Sequence, residues 1–369
     1  MSPSPSMTQT GPLSAWFALT ETCNNRCTYC YENASGYVSD GKRRSSRRLS
    51  LEDIEYVSPV LIACGLRKAI LIGGEPTLNP QLIEIISYLS GKPVQTLLAT
   101  NARVFSDERQ ARTISDAGLR SASVSLHGWS EDTYEGLGNK AGFDQAILGM
   151  KNLTSAGVKV GANLVLGKRT LEHSGAIVDF FERLGVQVAH FSVATPAVSP
   201  NRIDGSFTAP MRPMASHVMD IFKRCSDAGI HASFQLNLPF CLFEKADIQA
   251  LLDAGSVSQS CHVIDGSGIV IRPDLDIATC THMMEFTLSL GNRSAFASRE
   301  AFLQFWRAPH YETERRRANS YRRDECSSCD MWTVCGGGCM VHWAYHDPRK
   351  FEIPNTGRPT IDNLAGKQH

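Results

Sequence analysis

The stops between segments constrain this chain most. Gly65, Gly91, Gly118, Gly157, Gly185 and Gly229 each close a helix-like stretch and precede a strand-like one. Glycine enters the left-handed conformation that ends a helix without a Cβ penalty. Start signals agree: Ser50 with Asp53 resembles a capping box, and Asn79-Pro80 gives an N-cap followed by proline at N1. Apolar runs at 15–19, 68–72, 94–98, 122–126, 158–166 and 187–193 read as strands. Strands alternating with helices pair in parallel, with right-handed crossovers. Six units fall short of the eight in a closed barrel, which takes about 250 residues. The expectation is an α/β fold, an open, partial (β/α)6 barrel over residues 13–235, after a Pro/Ser/Thr tail at 1–12.

The first strand run leads straight into Cys23, Cys27 and Cys30, a C-x3-C-x2-C pattern. The C-terminal ends of barrel strands are where such folds place their chemistry. Three thiolates are one ligand short of a closed tetrahedral site, and a 4Fe–4S cluster held by three of them keeps one iron open. Zinc knuckles also use close cysteine pairs, so the spacing is not unique to iron. A second motif, Gly73-Gly74-Glu75-Pro76, ends the strand Lys68–Ile72.

Together these motifs resemble the radical S-adenosylmethionine (radical SAM) superfamily. The resemblance implies that the open iron chelates the amino and carboxylate groups of S-adenosylmethionine. It implies that the Gly73–Pro76 turn contacts the methionine amino group through its backbone, and that Tyr29 lies beside the adenine. On that basis Gly74→Val is expected to weaken cofactor binding and leave cluster iron in place. Thr100-Asn101, Ser125 and Asn163 stand at strand ends where relatives contact ribose or carboxylate; capping of the next helix is the plain alternative. The arginine that many relatives carry after strand four is missing, and Lys140 is the substitute, as a point charge. The resemblance also implies a one-electron donor such as flavodoxin or ferredoxin.

Formal net charge is zero, 37 basic against 37 acidic residues, so nothing global favours nucleic acid or an anionic membrane as a partner. The first ten residues carry no basic region followed by an apolar core, and no apolar stretch has the length of a membrane span. Twelve cysteines in a chain without a secretion signal favour metal binding in a reducing cytoplasm over disulfides. The basic run at 42–48 reads as solvated surface, with an acidic docking partner the lesser reading. Cys64 falls on the apolar face of its helix with Ile54, Val57 and Leu61 and reads as core; Cys225 reads the same way on the 212–228 helix.

Residues 236–255 bridge to a second cysteine field at 256–345, ahead of a polar tail at 346–369. A hairpin is expected at 268–280. Cys326, Cys329, Cys335 and Cys339 form C-x2-C-x5-C-x3-C, with three glycines between the last two. Out of context a zinc ribbon is as good a reading as iron–sulfur. After a radical SAM core the array is similar to the SPASM extension of peptide- and protein-maturing enzymes. That resemblance implies two auxiliary clusters, one on Cys326, Cys329 and Cys335 and one on Cys261, Cys280 and Cys339. The extension's final cysteine has no counterpart: either a non-Cys ligand such as His342, His346 or Asp347 completes that cluster, or one iron stays open, or the cluster is absent, while Cys241 is a candidate fourth ligand of the Cys261 group. Leu275 replaces a glycine usual in relatives, so the hairpin turn is expected to differ.

The resemblance implies a 5′-deoxyadenosyl radical that takes hydrogen from a peptide or protein side chain, for cross-linking, oxidation or epimerisation. A dehydrogenase or epimerase of a sugar- or amino-acid-derived metabolite is the runner-up, with Cys241 or Cys225 as hydrogen donor. Sulfatase maturation ranks low, because Thr281 stands where that branch has aspartate. A zinc-binding scaffold ranks last, since it leaves the first two motifs unexplained.

Overall fold

The computed structural model describes residues 11–30, 47–136, 142–199, 202–257, 261–283, 292–309, 311–313, 326 and 328–346. The strands expected from apolar runs form β1 (Ser14–Ala18), β2 (Lys68–Ile72), β3 (Gln95–Thr100), β4 (Ser121–Ser125), β5 (Lys159–Leu166) and β6 (Val188–Val193). Between them run α1 (Leu51–Ala63), α2 (Leu82–Ser90), α3 (Glu108–Asp116), α4 (Glu131–Gly136), α5 (Phe143–Ser155) and α6 (Ser174–Arg183). The Ser50–Asp53 capping box closes in both directions, with Ser50 Oγ accepting from Asp53 N at 3.1 Å and Asp53 Oδ2 from Ser50 N at 3.0 Å. All six strands pair in parallel in chain order, as the alternating pattern requires. The fold is α/β, with a partial barrel.

The sheet is longer than six strands. A short hairpin, β7 (Ala197–Ser199) and β8 (Arg202–Asp204), is followed by α7 (Met211–Asp227) and β9 (His231–Gln235), which pairs parallel with β6. On the other side of β1 lies a strand from late in the chain. After α8 (Lys245–Asp253) and the single turn α9 (His262–Asp265), β10 (Gly268–Ile271) joins β1 in parallel, with Ser14 opposite Gly268. The expected hairpin then closes with β11 (Ile277–Ala278), antiparallel to β10. Its turn forms around Leu275 at φ 62, a left-handed conformation that costs a branched residue about 1–2 kcal/mol. Leu275 is only 3% exposed, so its burial offsets that strain. The order β11-β10-β1-β2-β3-β4-β5-β6-β9 leaves the barrel open.

Strand alternation divides the residues between two faces. Phe17, Leu71, Leu98, Val124, Leu164, Phe191 and Phe234 face outward and pack against the helices. On the inner face, Ala18, Ile70 and Ile72 pack with Trp16, Leu97 and Ala99. Cys64 and Cys225 are both in the outer core, as expected. The remaining described helices are α10 (Arg299–Trp306), which packs on α1, then α11 (Trp332–Cys335) and α12 (Met340–His346). No helix among the described residues is long and apolar enough to cross a membrane.

Candidate active site

The cluster loop follows β1, and the turn after β2 holds it. Gly74 N donates to Thr20 O and Glu75 N to Thr22 O, each at 2.8 Å. A Cβ on Gly74 would overlap the Thr22 carbonyl, and Gly73 lies at φ 151 against Thr20. The glycines are therefore required by the contact between turn and cluster loop. This revises the expectation for Gly74→Val: the added side chain would push on Thr22 and Cys23, so cluster iron is exposed to the change as well as cofactor binding.

Glu75 is 1% exposed and joins two strand ends. Its Oε1 accepts from Thr77 N, Thr77 Oγ1 and Thr100 Oγ1, and its Oε2 from Asn101 N at 2.8 Å. Burial pushes its carboxyl above the usual range, and these hydrogen bonds pull the other way. Pro76 is buried and opens the one-turn helix that follows. Asn101 turns its Nδ2 to Asn24 Oδ1 at 2.7 Å. Arg103 completes the clamp: one Nη1 reaches Asn24 O at 3.0 Å and Asn25 Oδ1 at 2.9 Å, while Nε donates to Gln145 Oε1. A guanidinium is thus held by neutral acceptors beside a loop of three thiols.

Cys23, Cys27 and Cys30 are all half-buried on that loop. Asn25 N points at Cys23 Sγ from 3.3 Å, and Cys30 N bonds Cys27 O. An N–H aimed at sulfur favours a thiolate, so this donor set fits a cluster held by three cysteines. Tyr29 meets His127 edge-on with ring centres 5.1 Å apart, and Phe207 at 6.5 Å. His127 follows β4 and is 8% exposed; burial pushes its imidazole down to about 4, so it is neutral. Beside Tyr29 a cavity of about 560 Å³ opens, floored by Val165 and Ala194 and rimmed by Lys168, Arg169, Ser206 and Phe207. Ser125 and Asn163 are paired in register on β4 and β5, and Ser192 Oγ donates to Asn163 Oδ1 at 3.3 Å. Lys140 lies outside the described residues.

The later cysteines gather into two sets. Burial, with the nearby Cys261 adding to it, pushes Cys280 and Cys339 up to about 12, and burial with Asp265 raises Cys261. Cys335 feels Cys241 and Cys326, and its sulfur accepts from Phe240 N at 3.2 Å. Cys241 therefore belongs beside the Cys326–Cys335 array, not with the Cys261 group where the sequence placed it. It stands there because the 237–240 loop packs on the glycine run: Cys339 N bonds Asn237 O, and Gly338 at φ 83 abuts Pro239. Cys329 is exposed on the same array. Among the described residues no three His, Cys, Asp or Glu side chains sit close enough to hold a single ion. His342 follows Cys339 and is 1% exposed, its backbone N–H favouring the Cys339 thiolate. Asp347 and the His346 side chain lie outside the described residues. Cys225 is 0% exposed in the core between the helices and the outer face of the sheet, away from the mouth, and it is this position that argues against it as a hydrogen donor. The basic run lies mostly outside the described residues, but Arg47 pairs with Asp274 on the hairpin turn at 3.1 Å.

Sequence reading missed Arg103, His127, Lys168 and Arg169. All four stand just beyond a strand end, the one signal that was available.

Residues 17–181 match the model of the Radical SAM superfamily. This stretch is a radical SAM domain. Its curated relatives include the Fe-coproporphyrin III synthase of Methanosarcina barkeri, 29% identical over 46% of this chain and 41% of that protein. A probable GTP 3′,8-cyclase of Saccharolobus solfataricus is 32% identical over 47% of this chain and 54% of its own length. The chain thus spans about half the length of these relatives. Among solved structures, Streptococcus suis SuiB bound to precursor peptide SuiA superposes with a TM-score of 0.69, at 16% identity, over 92% of this chain and 74% of that one. The anSMEcpe structure with AdoMet and the Cp18Cys peptide gives 0.66, at 17% identity, over 89% of each chain. At such identities the likeness is one of fold.

Proposed function

We propose that the chain is a radical SAM enzyme that modifies a peptide or protein side chain. The observation that carries the chemistry is the pinning of the Cys23–Cys30 loop to the Gly73–Pro76 turn at the sheet's C-terminal end. Cys23, Cys27 and Cys30 would hold the cluster. When bound, the cluster and S-adenosylmethionine supply reductive cleavage of the sulfonium and hydrogen abstraction by the resulting 5′-deoxyadenosyl group. The chain's own residues orient and enclose. Glu75 fixes Thr100 and Asn101, Arg103 fixes Asn24 and Asn25, and Tyr29 walls the cavity with Phe207. Positioning of this kind is what protein can add when a cofactor carries the hard step.

The peptide reading is supported by the SPASM-like cysteine spacing and by fold likeness to two structures bound to peptides. The Cys326–Cys339 array and the Cys261 group would hold auxiliary clusters, with a small acidic redox protein as electron donor. A small-molecule substrate is the second reading, because the curated relatives are named for GTP and coproporphyrin chemistry. Anaerobic incubation with S-adenosylmethionine, dithionite and candidate peptides, read by mass spectrometry, tests both. 5′-Deoxyadenosine is expected together with a peptide that has lost two hydrogens, as oxidation or an internal cross-link requires, or that gains one deuterium in D2O, as epimerisation requires. Turnover of a small metabolite with every peptide unchanged would favour the second reading.

A further inference from the structure

We propose that Thr195 is a positioning residue for the centre on Cys261, Cys280 and Cys339: its hydroxyl, held by Asn237, donates to the Cys339 sulfur and raises the reduction potential of the cluster bound there. The inference rests on the reading of these three cysteines as an auxiliary iron–sulfur site. Two observations carry it: a hydrogen-bonded bridge from the cavity floor to Cys339, and the left-handed residue at the centre of that bridge.

The bridge begins in the mouth. Ala194 floors the cavity and is pinned to the end of β5, its N donating to Leu166 O at 2.7 Å. The next residue, Thr195, is 4% exposed, and its Oγ1 accepts from Asn237 Nδ2 at 3.0 Å. The same Nδ2 donates to Val193 O at 3.1 Å, and the Asn237 carbonyl accepts from Cys339 N at 3.0 Å. Asn237 thus grips the end of β6 with its side chain and the cysteine segment with its backbone. It does so at φ 53, a left-handed conformation that asparagine tolerates and that most other residues avoid. Backbone of this kind persists where the surrounding contacts fix it, as these three hydrogen bonds do.

A buried hydroxyl that accepts one hydrogen bond still has a proton to place. Here the acceptor is the Cys339 sulfur, which Thr195 favours as a thiolate together with the backbone N–H groups of Val341 and His342. The companion cysteines are furnished alike: Cys261 by the N–H groups of Val263 and Ile264, Cys280 by the N–H of His282 and the Thr281 hydroxyl. A neutral thiol is a weak acceptor, so donors gathered in this way fit thiolates on a metal centre. Among these donors Thr195 alone comes from outside its cysteine's own segment, and it comes from the cavity floor. A donor to sulfur stabilises the reduced cluster, which carries one more negative charge, above the oxidised one. Losing the hydroxyl should therefore lower the potential.

The test is an EPR-monitored redox titration of the reconstituted full chain carrying Cys23/Cys27/Cys30→Ala, so that only the later cysteines contribute signal. Thr195→Val, added to that chain, keeps the side chain's shape and deletes its hydroxyl. The midpoint of one auxiliary centre is expected to fall by about 59 mV, a tenfold change for a one-electron couple. Thr195→Ser restores the donor and should keep the parent's midpoint. Midpoints unchanged in Thr195→Val would overturn the proposal, as would a serine variant shifted as far as the valine one. Loss of that centre's iron from either variant would overturn it too, because Thr195 would then serve structure and not potential. A parent chain that binds no iron after reconstitution would fail the auxiliary-cluster reading itself, and the proposal with it.

Discussion

The cluster loop hangs from hydrogen bonds to the turns after two strands, whereas Cys261, Cys280 and Cys339 come from three separate segments of the chain. Residues 20–25 are caught by the turn after β2 and by Asn101 and Arg103 after β3, and their thiols stay half-exposed. Cys261, Cys280 and Cys339 are half-buried as residues too, but burial drives their thiols upward, with Cys261 adding to the rise of Cys280 and Cys339. The difference has a chemical logic. A loop that must open one coordination position to a ligand is best fixed by its backbone. A site with no such duty can be sealed, and raised thiols then need a metal centre to become thiolates.

The strongest test of the contrast removes one set of thiols. The Cys23/Cys27/Cys30→Ala variant should make no 5′-deoxyadenosine above background yet remain brown after reconstitution, through the C-terminal sets. A colourless, zinc-loaded variant would show that the later cysteines do not hold iron.

Cutting the suspension should come next in size. Arg103→Met deletes two charge-assisted hydrogen bonds to the loop, each worth about 1.5–3 kcal/mol. EPR should show a weakened signal from the catalytic cluster with the auxiliary signals intact. Arg103→Lys should recover only part, because one ammonium cannot reproduce the fork. The reciprocal lesion is Gly338→Ala, which places a side chain at positive φ against Pro239. It should cost about 1–2 kcal/mol and strip iron from the C-terminal sets first, as read by iron content after brief chelation.

Acid should act through groups on neither set. His127 and His217 are buried and pushed down to about 4 in the folded protein. An unfolded histidine titrates at about 6.5. Between those values the unfolded chain binds more protons, so stability is full above about 6.5 and declines as pH falls towards 4. Each histidine should contribute a slope of about 1.4 kcal/mol per pH unit. His127→Gln should flatten the profile of melting temperature against pH; an unchanged slope would mean that His127 protonates without cost.

Much of this arrangement was legible in the residues. The six glycine stops and the two early motifs are local patterns, and each strand they mark is present. The role of the glycines in Gly73–Pro76 was not legible, because a requirement for close approach does not say what is approached. It is the Thr20–Thr22 backbone that lies there. Cys241 was misplaced for a similar reason: spacing orders cysteines along the chain, and the Asn237–Phe240 contact that brings it to Cys335 is long-range. The run Gly268–Ile271 carried a signal that was read only as a hairpin. All four residues are buried, which is the pattern of a strand inside a parallel sheet.

That strand has a consequence for how the protein is made. β1 emerges from the ribosome first, yet one of its two neighbours, β10, is encoded far downstream. Until residues 268–271 are synthesised, the strand leading into the cluster loop has a bare edge, open to mispairing with another nascent chain. Pairings so distant in sequence form slowly. Cluster insertion into Cys23–Cys30 is thereby tied to completion of the C-terminal half, and a chain truncated before β10 should aggregate rather than yield a smaller working enzyme.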